Sequence, residues 1–349
     1  MRFALSPEQV ELSHVIGTWC EHAAKSAPLR DLHTADQGAL DRLWAEAAGY
    51  GWLGVAVPGS GGSLLDACLI AEQFASHLIP LPYAGNAILA ASAATVFGSR
   101  AQRERIYAAL SSGSERFSVV VDEELRWPGR GARGYAWEWL PGTVPVDLHD
   151  GALEFLDAGQ ARQADCEDRQ RFIGRIEAGA AARAPLDGQA NRFRATAMVA
   201  TSAVLVGYMQ GALRSAVEHA RRRTQFGRPI ASFQAIQHLC AELLIDVEAG
   251  RTATYGAAWS VENLSVAEGL NAAAVAKAWT APAAVRVCQS ALQIFGGMGF
   301  TWDCDAHMYL RSALVCANSF ATEAAALDVV ADLAFFAPPG PDDGGGGHE

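Results

Sequence analysis

The sequence predicts a mainly α chain with a small central β domain: an N-terminal helical domain, a β-barrel-like middle domain and a C-terminal four-helix bundle. Three observations predict it. Apolar residues recur at helical spacing through the first part of the chain. β-branched runs and turn residues replace that pattern at Phe117. From Ala190 onward, four long stretches rich in Ala, Val and Leu are joined by short links. The boundaries fall at 1–115, 116–188 and 189–337, and the Pro-, Gly- and Asp-rich 338–349 reads as a disordered tail by composition.

The elements follow in order. Ser6 is a hydroxyl N-cap, Pro7 suits the first helical position and Glu8 the first turn; Val10, Leu12, Val15, Ile16 and Trp19 continue at helical spacing. A second helix runs from about Ala35 to Gly49. Gly51 to Pro58 reads as a short extended stretch and Gly59 to Gly62 as a turn. Helices follow over Ser63 to His77, Ala84 to Val96 and Ala101 to Leu110. In the middle, Phe117 to Val121 is a β-branched strand. Val144 to Leu148 and Ala152 to Leu156 form a hairpin about Asp150-Gly151, and Arg171 to Ile176 is a further strand candidate. Trp137 and Trp139 suit core or edge-strand packing. The bundle helices are Ala195 to Arg222, Ser232 to Asn263, Val266 to Phe295 and Tyr309 to Phe336.

Composition narrows the function. The chain of 349 residues carries a net charge of −11, which argues against nucleic acid and anionic membrane surfaces as main partners. Arg221, Arg222 and Arg223 are the densest positive run and suit an anionic ligand. Seven cysteines, odd in number and without a C-x-x-C pair, fit a reduced cytoplasmic protein with no metal site. The N-terminus turns polar at once, so no signal peptide is expected. We count no run of about twenty uncharged apolar residues, so no membrane span is expected.

Two phrases carry chemistry. Arg223-Thr224-Gln225-Phe226-Gly227, with Pro229, Phe233 and Gln234, closes one helix and opens the next. Gln293-Ile294-Phe295-Gly296-Gly297-Met298-Gly299-Phe300 closes the helix after that. Taken singly, the first reads as cations at a helix C-terminus and the second as a glycine C-cap. Together, in this order, and with Gly51-Trp52-Leu53-Gly54 and Pro58, they resemble the acyl-CoA dehydrogenase family. The similarity runs over nearly the whole chain, strongly at both ends and weakly in the middle.

The resemblance implies FAD held between two subunits. The arginine of the first phrase, here Arg223, reaches the pyrophosphate of the neighbour's FAD, and the second phrase covers its ADP part. A guanidinium offers paired donors to phosphate, and glycines let backbone N–H groups approach an anion. By resemblance, Arg223, Gln225, Phe226, Gln293, Gly296 and Gly297 are FAD contacts, and Phe233 and Gln234 line the adenine end. The implied reaction is α,β-dehydrogenation of an acyl-CoA thioester, with an electron-transferring flavoprotein as the family's common electron acceptor.

The family's catalytic base is missing. Counting from the second phrase, the glutamate position falls on Phe320, within Asn318-Ser319-Phe320-Ala321-Thr322. The alternative glutamate position on the first bundle helix reads Ala197, beside Met198. Neither accepts a proton. Glu323, about one helical turn past Phe320 and expected to face a similar direction, is the one substitute we name. The family's T-E-P-x-A-G-S-D phrase and its W-I-T-N-like strand, which hold a subunit's own flavin and thioester, are absent between Phe117 and Asp187.

Residues that reach a neighbour's flavin are thus kept, and those that build this chain's own site are lost. The pattern resembles the glutamate-less subunit of heteromeric (α2β2) bacterial acyl-CoA dehydrogenases of steroid side-chain degradation, whose partner is a second, glutamate-bearing subunit. Two other readings stay open: a homomeric dehydrogenase with its base moved to Glu323, and a non-catalytic scaffold without FAD.

Overall fold

In a computed structural model, the chain is described over residues 4–26, 37–127, 134–149, 151–166, 168, 170–171, 173–176 and 188–335. The expected starts of the second helix at Ala35 and of the hairpin turn at Asp150, the middle of the Arg171 to Ile176 candidate, and the tail at 338–349 lie outside these residues.

The N-terminal domain holds α1 (Pro7–Ser26), α2 (Gln37–Gly49), α3 (Leu64–Ser76), α4 (Ala91–Phe97) and α5 (Arg100–Ser112), with a π-helical turn, Ala84–Ala90, leading into α4. Start signals are chemical. Ser63 with Asp66 and Ser99 with Gln102 form capping boxes at α3 and α5, each satisfying two N–H groups that a helix start leaves unpaired. The expected extended stretch after Gly51 is instead a 3-10 turn, Trp52–Gly54. Gly51 takes a left-handed φ of 77°, and the following backbone bonds close over three residues, which tucks Trp52 and Leu53 into the core. There Trp52 packs edge-on against Trp19, and the Tyr83 hydroxyl donates to the Trp52 carbonyl.

The middle domain is a six-stranded mixed sheet. Its strands are β1 (Phe117–Val121), β2 (Gly134–Ala136), β3 (Val144–His149), β4 (Ala152–Phe155), β5 (Ala161–Gln163) and β6 (Gly174–Ile176), in the order β4-β3-β1-β2-β6-β5. β3 and β4 form the expected antiparallel hairpin, while β1 and β3 run parallel. Two three-residue strands, β2 and β5, were not expected, and β6 occupies only the end of its candidate.

The C-terminal helices are α6 (Gly188–Arg222), α7 (Gln234–Asn263), α8 (Val266–Phe295), α9 (Ala306–Asn318) and α10 (Glu323–Phe335). A short hairpin, β7 (Thr224–Gln225) with β8 (Arg228–Pro229), joins α6 to α7. The expected fourth bundle helix is therefore two, broken at Phe320. That residue has a φ of 64°, and its N–H donates to the Leu125 carbonyl at 2.7 Å, outside any helix. Within α6 lies a stretch long and apolar enough to cross a membrane, which corrects the sequence count; 94% of it is buried inside the fold. Gly207 and Gly211 let α6 press against α3: a Cβ at either would stand within 2.4 Å of the carbonyl of Glu72 or Ser76.

Candidate functional site

The α6–α7 joint and the end of α8 meet at one end of the bundle. His219, in the last turn of α6, stacks on Phe295, the last residue of α8, with ring centroids 4.5 Å apart. The Arg223 N–H donates to the His219 carbonyl, and the Ile230 N–H donates back to the Arg223 carbonyl, so Arg223 sits at the base of the hairpin. Burial, and then the Arg223 charge, push the His219 imidazole below its ordinary pKa.

At the hairpin tip, Phe226 and Gly227 both have positive φ (54° and 78°), as a two-residue type I′ turn demands. Phenylalanine is a costly choice there, since a left-handed conformation costs a non-glycine residue roughly 1–2 kcal/mol. The turn nonetheless holds the Phe226 ring 91% exposed. Behind it, Phe233 meets Phe226 edge-on at 6.2 Å, and the Arg228 guanidinium lies 4.2 Å from the Phe233 ring centre. Arg221, Arg222, Arg223, Gln225 and Gln234 are all exposed. Among the described residues, no carboxylate pairs with Arg223.

The glycines complete this end. Gly296 stops α8 at φ 64°, ψ −146°, a conformation left to glycine. Gly296 and Gly297 face open space, where an added Cβ would meet nothing, whereas Gly299 packs against Phe295. Gln293 is exposed on the last turn of α8; Met298, Phe300 and Trp302 continue the exposed surface beyond it. Arg228 and Phe300 belong to this surface and were not singled out from the sequence; the signal was their position, Arg228 between Gly227 and Pro229 and Phe300 at the end of the second phrase. The result is a cationic, aromatic and glycine-bearing face at one end of the bundle.

The opposite holds at Phe320, where the resemblance puts the family's glutamate. Phe320 is buried, with its ring edge-on to Trp137 at 5.1 Å. The Trp137 indole donates to the Ser319 hydroxyl at 3.1 Å. Backbone pairing of Phe320 with Arg126 and Leu125 closes the joint between the β domain and the bundle. Beside it lies a buried ionic cluster. Arg171 pairs with Glu138 at 2.7 Å and, at a longer 3.7 Å, with Asp168; it also donates twice to the Tyr208 hydroxyl. Ser312 donates to Asp168 at 2.6 Å. Burial pushes both carboxyls above their ordinary values, and Arg171 draws them back. The cavity left there is ≈ 20 Å³, about the room one water needs.

Of the remaining candidates, Ala197 and Met198 are buried in the core of α6. Glu323 does not share the direction of Phe320. The chain breaks between them, and Glu323 opens α10 on the surface, within the field of Arg286. Trp139 is buried under the sheet, its ring 2.7 Å from where a Gly174 Cβ would be.

Profiles of two domains of one family match the chain. "Acyl-CoA dehydrogenase, N-terminal domain" matches residues 6–114, and "Acyl-CoA dehydrogenase, C-terminal domain" matches 191–332. The chain belongs to the acyl-CoA dehydrogenase family. The two matches flank the middle sheet without including it, as the weak central resemblance led us to expect. Acyl-CoA dehydrogenase FadE34 of Mycobacterium tuberculosis is 30% identical over 88% of this chain; the chain spans 45%, about half, of that relative's length. The ChsE4-ChsE5 complex of Mycobacterium tuberculosis shares the fold with a TM-score of 0.78 at 22% identity, covering 97% of this chain and 100% of that one. So does a structure described as the Tcur3481-Tcur3483 steroid ACAD, with a TM-score of 0.75 at 23% identity, covering 93% and 97%.

Proposed function

We propose that this chain is the site-completing subunit of an FAD-dependent acyl-CoA dehydrogenase. It pairs with a second, glutamate-bearing family subunit and lends its bundle end to that subunit's flavin. One observation carries the reading: the family's base position is sealed under Trp137, while the Arg223 hairpin and the Gly296–Gly297 turn stand fully presented to solvent. ChsE4-ChsE5, a complex of two named proteins, supports a two-subunit arrangement.

The residues present fit the ADP and pyrophosphate portion of FAD: an exposed guanidinium without a carboxylate partner, and glycines with open space above them. Arg223 binds the pyrophosphate as a charge-assisted, paired donor. Gln225, Gln293, Gly296 and Gly297 orient it through polar contacts and close backbone approach. Phe226 covers it from water, and Phe233 with Gln234 line the adenine end. When bound, FAD supplies the hydride acceptor for α,β-dehydrogenation of an acyl-CoA thioester. The partner supplies the base and the thioester pocket, because Phe320 and Ala197 can accept no proton. A ring-bearing or branched acyl group and an electron-transferring flavoprotein as electron acceptor complete the proposal, with action in the cytoplasm.

Co-expression with a glutamate-bearing family member tests it. The pair is expected to reduce an artificial electron acceptor on addition of acyl-CoA, with neither chain active alone. Turnover by this chain alone would overturn the proposal.

A further inference from the structure

A second feature lies at the far end of α6. Between the N-terminal helices and the bundle is a cavity of ≈ 330 Å³, within the range of small-molecule sites, about 300–1,000 Å³. It shares no lining residue with the cavity at Arg171. Arg192 on its wall stands about 45 Å along α6 from Arg223, at 1.5 Å per residue, so the flavin-facing end makes no use of it.

Its lining has two characters. Val57, Leu64, Ile88, Val96 and Val261 give an apolar wall, from the segment before α3, from α3, from the π-helical turn, and from α4 and α7. Arg192, Ser92 and Thr196 give a polar end on α6 and α4. Glu262 also lines it: burial pushes its carboxyl above the ordinary value, and the Leu64 N–H it accepts at 2.7 Å, at the N-terminus of α3, draws it part of the way back. Arg192 has no ion pair among the described residues and is exposed at the rim. Ser92 is half-buried with no hydrogen bond to a described residue. Thr196 donates to the Arg192 carbonyl, which leaves its oxygen lone pairs free to accept.

A pocket with one apolar wall and an unpaired guanidinium at its rim matches one class of ligand: an unbranched apolar body with a carboxylate. We propose that this pocket binds a medium-chain carboxylate, with its chain between α4 and α6 and its head on Arg192 and Ser92. The carboxylate accepts from the guanidinium and from the Ser92 hydroxyl; no bond is made or broken. Because its walls come from both the N-terminal domain and the bundle, an occupied pocket ties the two together, and binding to the folded state alone raises stability.

Titration calorimetry of the full chain with decanoate, decanol and decyltrimethylammonium tests the proposal. Decanoate is expected to bind at one site per chain and to outbind the cation. Arg192→Ala is expected to weaken decanoate at least tenfold and leave decanol unchanged, while Arg192→Lys restores part of the loss. Ser92→Trp, which fills the pocket, is expected to abolish binding of both decanoate and decanol; if it fails to fold, the exposed Arg192→Ala variant decides alone. No saturable decanoate binding, decanoate binding unaltered by Arg192→Ala, or equal binding of the cationic amphiphile would overturn it.

Discussion

Arg223 combines exposure, a free guanidinium and a fixed backbone, tied by bonds to His219 and from Ile230. Its replacement by alanine removes charge-assisted hydrogen bonds, each roughly 1.5–3 kcal/mol. In the co-purified pair, Arg223→Ala is therefore expected to weaken FAD retention by about tenfold to a hundredfold at unchanged thermal stability, read from the flavin absorbance that survives gel filtration. Glu323→Gln is expected to leave the pair's turnover intact, because that side chain sits on the surface by Arg286; a loss on the order of 10²-fold or more would restore the relocated-base reading. At this scale the sequence was informative where chemistry is local. The phrases around Arg223 and Gln293 name candidate residues directly, and the fold brings both phrases to one end of the bundle. That Phe226 would adopt a positive φ and stand exposed was not legible, since residue type argues for the opposite.

Helices and strands were legible where the pattern is long. Val266–Phe295 falls where the sequence pattern puts it, and α3 and α5 start within one residue of the expected positions, at capping boxes on Ser63 and Ser99 that were not singled out. The break at Phe320 was not legible, because Tyr309 to Phe336 holds neither Gly nor an internal Pro. Bonds from another domain impose it, through Leu125 and Trp137. Strands β2 and β5 are too short to show alternation. Two predictions belong to this scale. Gly207→Ala forces a Cβ against the Glu72 carbonyl, so α3 and α6 must separate; overpacking of this kind costs about 1–3 kcal/mol, measurable by urea unfolding. Lys277 on α8 is fully buried, donating to the Thr201 hydroxyl and the Cys316 carbonyl. Burial lowers its pKa to about 8. The folded state then binds fewer protons than the unfolded chain between that value and the ordinary lysine pKa, so this group makes stability rise with pH across that window. Lys277→Met is expected to flatten the rise and to stabilise the protein at neutral pH, by at most about 3 kcal/mol.

For the molecule as a whole, helices, sheet and bundle converge on one asymmetry. The joint between the β domain and the bundle is filled by Trp137, Phe320 and the Arg171 cluster, while one end of the bundle exposes Arg223 and the Gly296–Gly297 turn, which we propose complete a partner's flavin site. Arg171→Met would leave Glu138 and Asp168 buried without their cation, a loss of about 3–5 kcal/mol, and is expected to loosen this joint before any other part of the fold. The most direct measurement of the asymmetry is flavin content. We would determine FAD per chain by absorbance, for this chain purified alone and for the chain co-purified with a glutamate-bearing family subunit. The account predicts no stoichiometric FAD on the chain alone and one FAD per pair. One FAD per chain in the protein purified alone would contradict it.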